Sequence, residues 1–128
     1  MTNLTLEAVT ISTDARGVAT VTLNRPEKHN ALNARLIADL RHAAAVLGDD
    51  NNVRIVILTG AESGSFCAGG DLNWFKSMAD ADRTTRRDGS RELAKMFADL
   101  DRISKPLIGR INGSAYGGGT GIISVCDY

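Results

Sequence analysis

Two glycine-rich stretches hold the residues best placed to do chemistry. They are Ser65-Phe66-Cys67-Ala68-Gly69-Gly70-Asp71-Leu72 and Asn112-Gly113-Ser114-Ala115-Tyr116-Gly117-Gly118-Gly119-Thr120-Gly121. Each follows an apolar, strand-like run and leads into a helix-like one. Glycine lets a backbone N–H approach a ligand with no Cβ in the way. Two such turns at strand ends can aim two N–H groups at one oxygen, as an oxyanion hole does. Gly118 falls at a helix start, where the helix dipole favours negative charge. The plain alternative, that these are only tight turns, explains one such stretch more easily than both.

Familiar glycine templates fail. A dinucleotide fingerprint from Gly117 needs glycine where Ile122 stands, and from Gly119 where Ser124 stands. A phosphate-binding P-loop from Gly113 reaches Gly118 but meets Gly119 in place of lysine. No G-x-S-x-G nucleophile elbow occurs. His29 and His42 are unsuited to a metal site without further ligands nearby.

The elements that must position these turns follow from patterning. Leu6–Ser12 and Val18–Leu23 alternate around the turn signal Asp14-Ala15-Arg16-Gly17, which predicts a hairpin with Ala19, Val21 and Leu23 on one face. A polar loop, Asn24–Asn30, contains Pro26, which forbids a continued ladder. Asn33 suits an N-cap ahead of Leu36, Ile37, Leu40, Ala44 and Leu47 at helical spacing, with Gly48 as the stop. Val53–Leu58 reads as a strand buried on both faces. Asp71 caps a short helix over Leu72–Met78, and Ala79–Arg87 is polar and weakly patterned. Leu93, Met96, Phe97, Leu100 and Ile103 predict an amphipathic helix over Arg91–Ile103, closed off by Pro106. Leu107–Ile111 reads as a strand, and Ile122, Ile123 and Val125 as part of a buried helix. Strands alternating with helices give an α/β class with no internal repeat, linker or low-complexity tract.

Composition bounds the partners. The 128 residues suffice for one modest domain or a piece of one. Hydrophobic residues make up 43% and charged residues 23%, and fifteen basic residues balance fifteen acidic ones, so neither nucleic acid nor a membrane surface is implied. Cys67 and Cys126 have no C-x-x-C partner, which argues against a zinc site or disulfide scaffold and fits a reducing cytoplasm. Met1–Glu7 lacks a signal-peptide core, and no run is long enough to span a bilayer.

The residues around the turns add a family resemblance. Asn24-Arg25-Pro26-Glu27-Lys28-His29-Asn30-Ala31-Leu32, Phe66–Leu72, Gly113–Gly119 and Cys126-Asp127 together resemble the enoyl-CoA hydratase/isomerase (crotonase) family, in register from about Leu4 to the last residue. Asp71-Leu72-Asn73-Trp74 with Gly117–Gly121 resembles a bacterial subgroup acting on branched or glutaconyl-type acyl groups, of the methylglutaconyl-CoA hydratase kind. The resemblance implies an α/β spiral of ββα units, with residues 1–128 forming its amino-terminal part, short of the carboxy-terminal trimerising helices. It implies a homotrimer or hexamer at full length. The substrate would be an acyl-CoA thioester, with no separate cofactor.

By the same resemblance, Gly70 and Gly118 donate their N–H groups to the thioester carbonyl. Ala68, Asp71 and Leu72 line the CoA and adenine side, and Lys28 sits in the loop bordering the nucleotide. Asp71 has an equal claim as a helix cap, and Tyr116 contacts the acyl group or simply packs. Trp74 and Phe75 wall the acyl pocket or the core, Cys67 packs, and His29 is a solvated loop residue. The charges from Asp80 to Arg102 form a solvated face and a mobile flap. The chain departs from the pattern at Gly121, where the typical hydratase has a glutamate, and the second glutamate of the pair falls past Tyr128. Glu7, Glu27, Glu62 and Glu92 all lie elsewhere. The expected activity is reversible hydration of a 2-enoyl-CoA. An isomerase or related lyase, and a catalytically inactive acyl-CoA-binding fragment of a longer protein, stand as alternatives.

Overall fold

A computed structural model describes every residue, Met1–Tyr128. The alternating segments form the start of a sheet, in which β1 (Leu4–Thr5), β2 (Val9–Thr13) and β3 (Val18–Leu23) run antiparallel. Val9 faces Leu23 and Ile11 faces Val21 across the hairpin, and all four are buried. The Asp14 carboxylate closes the turn by accepting from the Arg16 and Val18 amides. The sheet continues in parallel through β4 (Ile55–Gly60) to β6 (Leu107–Gly109).

Helix α1 (Ala34–Asp49) starts at the expected cap, since the Asn33 side chain accepts from the Leu36 amide at 2.9 Å. It ends one residue beyond Gly48. The Lys105 ammonium closes it by donating to the carbonyls of Leu47, Gly48 and Asp50, a cation placed at a helix C-terminus. With α3 (Arg83–Asp101), α1 covers one face of the sheet, where Val21, Val56, Leu58 and Leu107 meet Ala43, Leu47 and Leu100. The opposite face, with Ile55 and Ile57, is only half-buried, so β4 is not covered on both sides as its apolar run predicts.

Two further differences bear on the site. Helix α3 begins at Arg83, well ahead of Arg91, because the Asp82 carboxylate caps it at the Thr85 amide, 2.8 Å away. Its first half stays exposed and so shows no apolar stripe. The glycine-rich stretches also carry short strands of their own, β5 (Ser65–Cys67) and β7 (Ser114–Ala115), which pair in parallel as a second small sheet. A repeat invisible in the sequence follows from this. β4 leads to β5 and then α2 (Leu72–Asp80), and β6 leads to β7 and then α4 (Gly118–Ser124). In the same way β3 leads to Leu32, bridged in parallel to Gly70, and then α1. The later two units send their first strand into the large sheet and their second into the small one, while the first unit reaches the first glycine turn only through the single Leu32–Gly70 bridge, an arrangement in keeping with the expected ββα spiral.

Candidate active site

The β5–β7 pairing lays the two glycine turns side by side. Ser65 pairs with Ser114 and Cys67 with Ala115, and the Tyr116 amide donates to the Cys67 carbonyl at 3.2 Å. Just past this ladder Gly69 lies against Tyr116 and Gly117. A Cβ on Gly69 would stand 2.8 Å from the Tyr116 carbonyl oxygen and 3.7 Å from the Gly117 Cα. Gly69 (φ +90°) and Gly117 (φ +51°, ψ −117°) both adopt positive-φ backbone, Gly117 outside the left-handed well that His29 occupies, so this meeting point favours glycine twice.

One residue beyond each touching glycine stands an expected donor. The Leu32 amide donates to the Gly69 carbonyl at 2.7 Å, and the Asp71 amide donates to the Leu32 carbonyl at 2.8 Å. A trans peptide points its N–H opposite its C=O, so the Gly70 N–H is turned away from Leu32. It donates to no group in the chain. Gly118 opens α4, where the first amides have no partner within the helix. The Gly119 and Gly121 amides are engaged, on the carbonyls of Tyr116 and Gly117, and Gly118 is left out of that set. Two adjacent turns thus each present a free amide, as a two-donor site for an anionic oxygen requires.

The loop at residues 24–32 builds the facing wall. Pro26–Lys28 makes one 3-10 turn, after which His29 and Asn30 take left-handed backbone. Asn30 is fully buried. Its Oδ1 accepts from the Arg25 amide at 2.9 Å, and its Nδ2 donates to the Ala61 carbonyl at 3.0 Å. The Ala68 amide donates to the His29 carbonyl at 3.0 Å. A cleft of about 540 Å³ opens between this loop and the first turn. Lys28, Ala68, Gly70, Asp71 and Leu72, all expected site residues, line it together. Tyr116 and Gly118 are not part of that wall; Tyr116 projects from the second turn, 62% exposed.

Asp71 is the most constrained of these. Its Oδ1 accepts from the Trp74 amide at 3.0 Å, which caps α2, and its Oδ2 pairs with Arg25 Nη2 at 3.1 Å. Burial alone would push its carboxyl up. The Trp74 N–H and the Arg25 guanidinium outweigh that and hold it below the ordinary carboxylate value. Of its two expected roles, capping is plainly present. Leu72 is 83% exposed, and α2 buries none of its residues. The Phe75 ring lies where a Cβ of Gly70 would be, so it shields the first turn.

Cys67 is buried, and burial pushes its thiol pKa up against a weaker opposing contact with the Gly69 backbone. That suits packing and not nucleophilic attack. His29 is exposed, with Nδ1 3.2 Å from the Ser65 hydroxyl. At Gly121, an added Cβ would stand 2.9 Å from the Phe97 ring, so α3 fills the space beside α4 that a side chain there would claim. No cluster of potential metal ligands is present. Sequence patterning missed Arg25, Asn30 and Asn112. The last exchanges two hydrogen bonds with Gly60, its Nδ2 donating to the Gly60 carbonyl at 2.6 Å. All three act across long sequence separations and carry no periodic signal.

The fold is of the crotonase type. Residues 13–128 match the enoyl-CoA hydratase/isomerase family, and the chain belongs to it. It is 36% identical over 120 residues to a probable mitochondrial enoyl-CoA hydratase of Dictyostelium discoideum, covering 92% of this chain and 41% of that protein. It is 40% identical over 111 residues to the (E)-benzylidenesuccinyl-CoA hydratase of Thauera aromatica, covering 86% and 41%. The crystal structure of an enoyl-CoA hydratase from Shewanella pealeana superposes with a TM-score of 0.90 at 30% identity, covering 95% of this chain and 45% of that one. The chain spans less than half the length of the curated relatives it matches. No helix is long and apolar enough to cross a membrane.

Proposed function

We propose that this chain supplies the thioester-binding and enolate-stabilising part of an enoyl-CoA hydratase. The observation that carries the reading is the pair of free amides, Gly70 and Gly118, on two turns joined by β5–β7. The thioester carbonyl oxygen accepts from both. When water adds to the β-carbon of a 2-enoyl-CoA and gives up one proton to a base, the π electrons move onto that oxygen as an enolate. Collapse of the enolate then takes a proton at the α-carbon. Donors fixed in advance stabilise the charge as it forms, each by about 3 kcal/mol.

In this reading the CoA moiety follows the cleft past Ala68, Asp71 and Leu72, with the exposed Lys28 ammonium offered to its phosphates. Tyr116 stands at the acyl end. The Asp71-Leu72-Asn73-Trp74 run supports a branched or glutaconyl-type acyl group. Asp71 is ill suited as the proton carrier, since its contacts with Trp74 and Arg25 hold it ionised. Gly121 has no side chain to move a proton, so that group comes from elsewhere in a complete enzyme, which assembles as a trimer or hexamer. No separate cofactor enters. Cys67 and Cys126, both free thiols, suit a reducing cytoplasm.

Gly118 provides the test. Proline is tolerated at the first position of a helix yet has no N–H. Gly118→Pro and Gly118→Ala both press on the Leu32 side chain, whose Cδ1 lies 2.6 Å from the added Cβ, but only proline removes the donor. With crotonyl-CoA labelled with 13C at its carbonyl, binding to the native chain and to Gly118→Ala should move the carbonyl resonance downfield. Gly118→Pro should leave it near the free value. Equal shifts in both variants would remove Gly118 from the site.

A further inference from the structure

Arg25 lies outside the cleft wall that holds Gly70, yet it bears on that turn from both sides. Its Nη1 donates to the Ala31 carbonyl and its Nη2 to the Asp71 carboxylate at 3.1 Å. Ala31 immediately precedes Leu32, and Asp71 immediately follows Gly70. Leu32 and Gly70 form the isolated parallel bridge that turns the Gly70 N–H outward. One guanidinium thus clips together the two backbone segments flanking that bridge. The clip is well protected, with the Arg25 and Asp71 side chains 14% and 7% exposed. The planar fork holds its two acceptors in fixed relative directions, which a freely rotating lysine ammonium does not. Asn30 anchors the arginine's own backbone by accepting its amide, so the clip is held at its base.

We propose that Arg25 is a positioning residue for the thioester site: it fixes the direction of the Gly70 amide through Ala31 and Asp71 without touching the substrate. This rests on the enolate-stabilising reading above, and two measurements keep the two ideas apart. The first is amide hydrogen exchange of the ligand-free chain. Arg25→Met keeps the stem and deletes the charge-assisted hydrogen bonds. It should speed exchange at Leu32 and Asp71 by about tenfold or more, and leave Gly119 and Gly121 in the second turn within about twofold. Asp71→Asn keeps the cap of α2 but removes the charge, and should act in the same direction; it carries the test if Arg25→Met does not fold. Unchanged exchange at Leu32 and Asp71, or equal acceleration in both turns, would overturn the proposal.

The second measurement uses 13C-carbonyl crotonyl-CoA with unacylated CoA as the binding probe. Arg25→Met should lose about half or more of the bound carbonyl shift while CoA affinity stays within about threefold, because one of two donors loses its aim. Weaker CoA binding with a full carbonyl shift would make Arg25 a ligand contact and overturn its positioning role. If the native chain shows no carbonyl shift, the enolate reading fails, and the exchange data alone decide whether Arg25 fixes the turn.

Discussion

The two glycine turns offer the same group, a free backbone amide, and both are closely packed, but only the first is also held by charged side chains. The first is held by polar contacts. Arg25, Asp71, Leu32 and Asn30 surround Gly70 with charged and neutral hydrogen bonds, and Asp71 caps the helix that follows. The second is held by close packing. Its helix α4 has no side-chain cap, and its glycines are pressed against Cys67 and Phe97. Hydrogen bonds yield to loss of charge, whereas close packing yields to added volume. Loss of charge should therefore loosen the first turn and spare the second.

Gly119 should give the largest effect. A Cβ there would run into the Cys67 carbonyl oxygen and stand 3.0 Å from the Cys67 Cβ. The obstacle is backbone of β5, and that strand is paired with β7. Neither can retreat without separating the turns. Gly119→Ala should cost on the order of 3 kcal/mol, the upper end for an overpacked core, despite the helix propensity that alanine adds. Denaturant unfolding would measure it. A loss below about 1 kcal/mol would mean that the second turn is looser than its contacts indicate.

This contrast was only partly legible in the sequence. Asn33 and Asp71 were readable as caps because capping depends on residues within one turn of each other. The hairpin was readable because β2 and β3 alternate. The strands β5 and β7 were not, since two or three residues carry no period and their partner lies far along the chain. Arg25 and Asp71 stand 46 residues apart, and nothing local in either names the other. The first half of α3 faces solvent, so the apolar stripe that marks its second half is missing there. The glycine turns themselves stood out by composition, and the family resemblance supplied the roles proposed for Gly70 and Gly118. The hydrogen bonds that leave those two amides free emerge only in three dimensions.

A smaller effect should separate the turns by pH. Contacts from Trp74 and Arg25 hold the Asp71 carboxyl below its ordinary value of 3.8. A lowered folded-state pKa means that the ionised group contributes stability above the unfolded value, and that this is lost as pH falls through the folded value. Asp71→Asn keeps the cap and lacks the charge, so it should be less stable than the native chain by about 2 kcal/mol at neutral pH. The gap should close as the pH drops below 3.8 and the native carboxyl protonates. Thermal melts of both proteins between neutral pH and the acid limit would follow it. A gap that stays constant through this range would assign the loss to shape alone and erase the polar character given to the first turn.

The smallest effect, at Gly121, tests the packing side most finely because two terms nearly cancel. Alanine in place of a glycine inside a helix gains about 1 kcal/mol of propensity. Its Cβ would also stand 2.9 Å from Cε1 and Cζ of Phe97. Unlike the Cys67 carbonyl, this is the far end of a side chain, and Phe97 is only half-buried, so it can swing aside at a cost of about 1 kcal/mol. Gly121→Ala alone should therefore lie within about 1 kcal/mol of the native chain. Phe97→Leu removes the ring edge. Added to that background, Gly121→Ala should become stabilising, and the double-mutant cycle should give a coupling of about 1 kcal/mol between two residues in contact. The Asp71→Asn background should leave that coupling unchanged, because the hydrogen bonds of the Asp71 carboxylate run to Trp74 and Arg25 and reach neither Gly121 nor Phe97. If the coupling moves with Asp71, the two turns respond as one unit, and the division between them is wrong.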